Sequence, residues 1–73
     1  MPHIIVKLWP GRTEEMKQTL ADKLAADTAE ILAVDMDDIS ISMEEVAQTD
    51  WTENVYQKEI LEKKENLYKK PGY

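Results

Sequence analysis

Hydrophobic and polar positions change period several times along the chain. Residues 4–9, Ile4-Ile5-Val6-Lys7-Leu8-Trp9, are apolar and β-branched, which predicts a strand. Ile4, Val6 and Leu8 share one face, while Ile5 and Trp9 share the other with Lys7 between them. A strand apolar on both faces suits a sheet covered on both sides. Pro10-Gly11 then marks a type II turn, because proline presets φ at the second position and glycine admits positive φ at the third. From Thr13 the period becomes helical. Met16, Leu20, Leu24 and Ile31 recur at three-to-four spacing, and Lys17, Asp22, Lys23 and Glu30 fall largely elsewhere. With Thr13 as N-cap and Glu14 and Glu15 in the first turn, one long helix is predicted over residues 13 to about 34.

Residues 35–38 read as an acidic loop, and residues 39–44 alternate again. Ile39, Ile41 and Met43 face a core there, with Ser40, Ser42 and Glu44 opposite. Asp50 with Glu53 three residues later resembles a capping box and predicts a second helix to about residue 67, carrying Tyr56, Ile60 and Leu67 on one stripe. Pro71-Gly72 closes it.

The order strand, long helix, strand is a βαβ unit with parallel strands and a right-handed crossover, hence an α/β (α+β) fold in a single domain spanning residues 1–73. Two strands alone do not make a stable sheet, and their open edges invite pairing. A second copy repairs both defects by completing a four-stranded sheet in a symmetric homodimer.

Composition narrows the chemistry. The 73 residues leave room for one small core, and the absence of cysteine excludes disulfides and thiolate metal sites. His3 and the scattered carboxylates lack metal-ligand spacing, so no metal site is expected. Fifteen acidic residues against nine basic ones, net charge −6, argue against a nucleic-acid partner. Lys63, Lys64, Lys69 and Lys70 are interrupted by acidic neighbours and read as a solvated helix face. Neither a membrane-spanning apolar run nor a signal-peptide pattern is visible, and a cytoplasmic protein is expected.

Pro2 carries the chemistry of greatest interest. Initiator methionine is normally removed before a small residue, and proline would then present a secondary amine. An apolar pocket or a nearby cation disfavours the charged form of such an amine, which makes it a general base at neutral pH. By itself, a proline at position 2 reflects no more than N-terminal processing.

The stretch Pro2-His3-Ile4-Ile5-Val6-Lys7-Leu8, followed by Gly11-Arg12-Thr13-Glu14-Glu15, resembles the 4-oxalocrotonate tautomerase family, in which an N-terminal proline opens the first strand. The likeness continues through residues 39–43 to Trp51, and the ending Lys69-Lys70-Pro71-Gly72-Tyr73 is similar to the short dimeric branch active on phenylpyruvate-type enols. The resemblance implies a cofactor-free keto–enol tautomerase. Pro2 matches the catalytic proline, Arg12 the arginine that binds a substrate carboxylate, and Trp51 the aromatic pocket residue that keeps the proline's pKa low. Ser40 stands where the founding enzyme has a second arginine, which points away from a diacid and toward a monoacid enol. The resemblance implies a dimer rather than the family's hexamer, because the segment after Trp51 reads as a helix.

The residues themselves leave other readings open. Arg12 fits a solvated surface cation, and Trp51 fits a core or interface position. Ser40 belongs to the polar face of a strand, and His3 either shapes a pocket or forms an ordinary hydrogen bond. Two further functions compete with the tautomerase: a non-catalytic binding module on the same scaffold, and a hydratase, dehalogenase or decarboxylase that uses Pro2 as a general acid.

Overall fold

Strand β1 is His3–Leu8, shifted one residue toward the N-terminus from the apolar run. It pairs in parallel with β2, Ser40–Glu45, in the register His3 to Ser40 through Leu8 to Glu45. Backbone bonds from Ser40 N to Pro2 O (3.2 Å) and from Val46 N to Leu8 O (2.8 Å) open and close the ladder. Trp9 lies outside it, just ahead of Pro10, whose nitrogen has no hydrogen to donate. Gly11 follows at φ 124°, positive as expected, in a bend that no Arg12-to-Trp9 backbone bond closes.

Helix α1 is Glu14–Leu32, and the Thr13 hydroxyl caps it by accepting from the Met16 N–H at 3.1 Å. It stops at Ala33, the one non-glycine residue at positive φ (56°). The acidic segment beyond it contains a 3₁₀ turn, Met36–Asp38, before β2. These elements, strand–helix–strand with parallel pairing and a helical C-terminus, are those expected, and all residues from Met1 to Tyr73 are described in the computed structural model. No helix is long and apolar enough to cross a membrane.

Two expectations are corrected. Along α1, Met16, Leu20 and Ile31 are exposed, and the half-buried residues include Ala21, Leu24, Ala25, Thr28 and Ala29. The half-buried side of α1 is thus made of Leu24 with small residues, mostly alanine, rather than of the full stripe of large apolar residues. The C-terminal helix also differs. It begins as α2, Gln48–Trp51, with Ala47 as the N-cap residue and no side-chain cap, so Asp50 sits inside the first turn instead of capping it. There its charge still complements the helix dipole. Thr52–Leu61 continue as a π-helix, ending with Glu62 N bonded to Gln57 O, five residues back. That wider turn brings residues four and five apart to one side, so Trp51, Val55, Tyr56 and Ile60 look inward, and all four are buried or half-buried. A 3₁₀ turn, Lys64–Asn66, follows, and residues 67–73 run back without regular structure.

Val55, 5% exposed, is the only buried residue of the chain. The accessible surface is 5911 Å², against about 4,700 Å² expected for a compact chain of this mass. The radius of gyration, 13.7 Å, likewise exceeds the roughly 11 Å of a compact domain of this length. The excess surface is comparable to one partner's half of a specific protein interface.

Candidate active site

The sheet separates the expected site residues into two groups. At the start of β1, Ser40 holds the Pro2 carbonyl through its backbone N–H, and its hydroxyl lies 2.7 Å from Nδ1 of His3, its partner in the strand register. Pro2 is half-buried, while His3 and Ser40 remain accessible. Pro2, His3 and Ser40 therefore form one cluster, assembled by the parallel pairing alone.

Arg12 and Trp51 belong to the other end. Both line a groove of about 960 Å³ between α1 and the C-terminal helix. Its floor is Val6-Lys7-Leu8-Trp9, consecutive residues of β1 and its extension, and no residue of β2 contributes. Successive side chains of a strand point to opposite faces, so a groove touching four in a row follows the strand's unpaired edge. Over the length of β1, at about 3.3 Å per residue, Pro2 lies roughly 20 Å from the Arg12 end. Within one chain the two groups do not meet.

Charge in the groove is sorted. Lys7 bonds Glu59 at 2.9 Å and stands 3.9 Å from Glu44. Lys17, with a side chain only 12% exposed, is held by Glu14 at 2.8 Å and Glu45 at 3.2 Å. The hydrogen bonds that Lys7 and Lys17 donate to these carboxylates raise their pKa above the ordinary lysine value, while the Lys7 and Lys63 ammonium groups lower that of Glu59. Arg12 enters none of the chain's ion pairs and is the groove's one cation free to take an incoming carboxylate.

The rest of the groove is aromatic. Trp9 and Trp51 meet edge to face with centroids 6.4 Å apart, and Trp51 Nε1 donates to the Tyr73 hydroxyl at 3.3 Å. Tyr73 in turn lies against Tyr56 with centroids 5.5 Å apart. Sequence reasoning missed Trp9, Tyr56 and Tyr73 as groove residues. Trp9 and Tyr56 had signals, at the end of the apolar strand and on the helical stripe, but Tyr73 arrives by a chain return that no period announces.

The site is thus carried on a βαβ unit led by proline, with one unpaired arginine in an apolar groove. The family model described as "Tautomerase enzyme" matches residues 2–55. The chain is similar to a "Probable tautomerase" of Xylella fastidiosa (strain 9a5c), 45% identical over 73 residues that cover all of this chain and 89% of the other. It is also similar to "Tautomerase PptA" of Enterobacter sp. (strain 638), 35% identical over 77 positions covering all of this chain and 97% of the other, and to "Tautomerase PptA" of Escherichia coli O127:H6, 32% identical with the same coverage. The chain belongs to the tautomerase family, the 4-oxalocrotonate tautomerase group of isomerases, and is an enzyme.

Proposed function

We propose that the protein is a cofactor-free keto–enol tautomerase of small 2-oxo acids or their enols, with Pro2 as general base once Met1 is removed. The substrates that suit it are enols of the phenylpyruvate type or 2-hydroxydienoates. The observation that carries this reading is Arg12, unpaired beside Trp51 in an apolar groove. Arg12 binds the substrate carboxylate with two parallel hydrogen bonds and draws charge toward it. The Pro2 nitrogen takes the enol hydroxyl proton, the oxygen's electron pair forms the C=O bond, and the same nitrogen returns the proton to carbon. With one free cation and Ser40 in place of a second, a monoacid suits the groove better than a diacid.

Because Pro2 and Arg12 lie at opposite ends of β1, the site needs two chains. Antiparallel pairing of two β1 edges about a two-fold axis at Ile5 sets the partner's Pro2 opposite Leu8, beside Trp9 and Arg12. The surplus accessible surface and the open strand edge support such a homodimer.

Subunit mixing tests this arrangement. Pro2→Ala and Arg12→Ala each abolish most activity alone. Unfolded together and refolded, half of the dimers are mixed, and each mixed dimer regains one intact site of two, so activity returns to about a quarter of wild type. No recovery on mixing, with dimers formed, would overturn the shared site. Wild-type protein lacking Met1 that ketonises phenylpyruvate enol no faster than buffer would overturn the function.

A further inference from the structure

The chain has five aromatic residues, two Trp and three Tyr, and four of them line the groove that holds Arg12. They come from three separated segments: Trp9 after β1, Trp51 and Tyr56 from the C-terminal helix, and Tyr73 from the returning tail. Tyr73 is the member with the least covalent reason to be there. No regular structure holds residues 67–73, and Tyr73 keeps 67% of its surface accessible. Two contacts nevertheless place it: its hydroxyl accepts from Trp51 Nε1 at 3.3 Å, and its ring lies 5.5 Å from that of Tyr56 at an interplanar angle of 33°. Tyr68, on the same tail, is fully exposed, so the seating belongs to Tyr73 rather than to tyrosines of the tail in general.

We propose that Tyr73 is a specificity-determining residue that completes an aromatic wall, selecting carboxylates with an aryl or broad apolar end over short aliphatic ones. The proposal rests on the reading that this groove takes the substrate with its carboxylate on Arg12. The ring contributes an offset face to an aryl group, and its hydroxyl fixes the Trp51 indole, which presents the facing wall. Short aliphatic acids reach Arg12 without reaching Tyr73. The residue therefore acts on the difference between substrates and leaves the proton transfer at Pro2 alone.

The test uses the full-length protein and unreactive probes, 3-phenylpropionate and butanoate, titrated by tryptophan fluorescence. Both tryptophans of the chain lie in the groove, so the signal reports on it directly. Tyr73→Ala is expected to weaken 3-phenylpropionate binding about tenfold, the scale of a lost aromatic contact, and butanoate binding less than twofold. Tyr73→Phe keeps the ring and loses only the hydrogen bond, so it shifts the tryptophan emission while holding most of the aryl preference. With phenylpyruvate enol, Tyr73→Ala raises KM and leaves kcat within about twofold. Equal loss for both probes, or no loss for either, in protein of wild-type circular dichroism would overturn the role of Tyr73. If Tyr73→Ala does not fold, Tyr73→Phe decides: unchanged emission with unchanged aryl preference overturns it. Binding is read without turnover, so a failure of Pro2 as base leaves this result standing, and the two failures are distinguishable.

Discussion

The backbone N–H of Ser40 donates to the carbonyl of Pro2 at 3.2 Å, so the first peptide unit of the ladder fixes where the Pro2 ring sits. The bond uses the carbonyl and does not engage the ring nitrogen. With Met1 attached that nitrogen is an amide without a basic lone pair. Pro2→Ala, in protein from which Met1 has been cleaved, is expected to lower kcat/KM for phenylpyruvate enol about 10²–10⁴-fold, with the fold retained by circular dichroism. Protein that keeps Met1, identified by intact mass, should be equally inactive. Ketonisation followed by ultraviolet absorbance makes the comparison, and a loss under threefold for either form would exclude Pro2 as the base.

Arg12 and the two groove lysines give opposite expectations despite equal charge. Lys7 and Lys17 are occupied by Glu59, Glu44, Glu14 and Glu45, whereas Arg12 is open. Arg12→Ala is expected to weaken binding of a monocarboxylate inhibitor about 10–100-fold, the range of charge-assisted hydrogen bonds, and Arg12→Lys to recover part of it because an ammonium lacks the planar fork. Lys17→Met should change inhibitor affinity less than about threefold, since the lysine is already paired. Isothermal titration of the three variants reads the order, and a larger effect at Lys17 than at Arg12 would reverse the assignment of the carboxylate site.

Much of the frame was legible because its signals are local. Alternation in 39–44, the helical spacing from Met16 to Ile31, and the Thr13 cap each report on neighbours a few residues apart, and the observed elements follow them closely. The C-terminal helix was legible as a helix but not in its geometry. A π-helical turn brings residues four and five apart to one side, and Val55, the one buried residue, falls outside the stripe that a 3.6-residue period draws through Tyr56 and Ile60. Contacts between distant positions left no trace in the pattern. Lys7 and Glu59 are 52 residues apart, and Trp51 meets Tyr73 across 22. Pro2, Arg12, Trp51 and Ser40 took their roles from a family likeness and His3 was raised only as a histidine beside the terminus, and the strand geometry shows that they fall into two groups.

Glu59 links β1 to the C-terminal helix through Lys7 and also bonds Lys63 at 3.2 Å. Its pKa is lowered first by the hydrogen bond from Lys7, so its contribution to stability is complete above the ordinary glutamate range and fades as pH falls through the lowered value. The Lys7 pKa is raised, so the lysine side of the pair holds up to the ordinary lysine value and is lost only as pH climbs through the raised one. Glu59→Gln is therefore expected to melt below wild type at neutral pH, with the gap closing on acidification below the usual carboxylate range. Thermal unfolding at a series of pH values checks the sign. A gap that is constant from neutral to strongly acid pH would show that the ion pair does not stabilise the fold.

Ile5 sits in the middle of β1, opposite Ser42, and is 51% exposed although it is β-branched and apolar. A second copy paired antiparallel along this edge places Ile5 beside its own symmetry mate, the position at which a substitution is felt twice. Ile5→Lys puts like charges directly opposite each other, which is destabilising in a strand pair, and removes apolar area from the centre of the interface. The variant is expected to run as a monomer by light scattering at concentrations where wild type is a dimer. Activity should fall with the dimer, because the monomer keeps Pro2 and Arg12 some 20 Å apart, the length of the strand between them. Raising the protein concentration should restore mass and activity together. A monomeric Ile5→Lys with full activity would show that one chain suffices for catalysis, and a variant that stays dimeric would place the interface elsewhere.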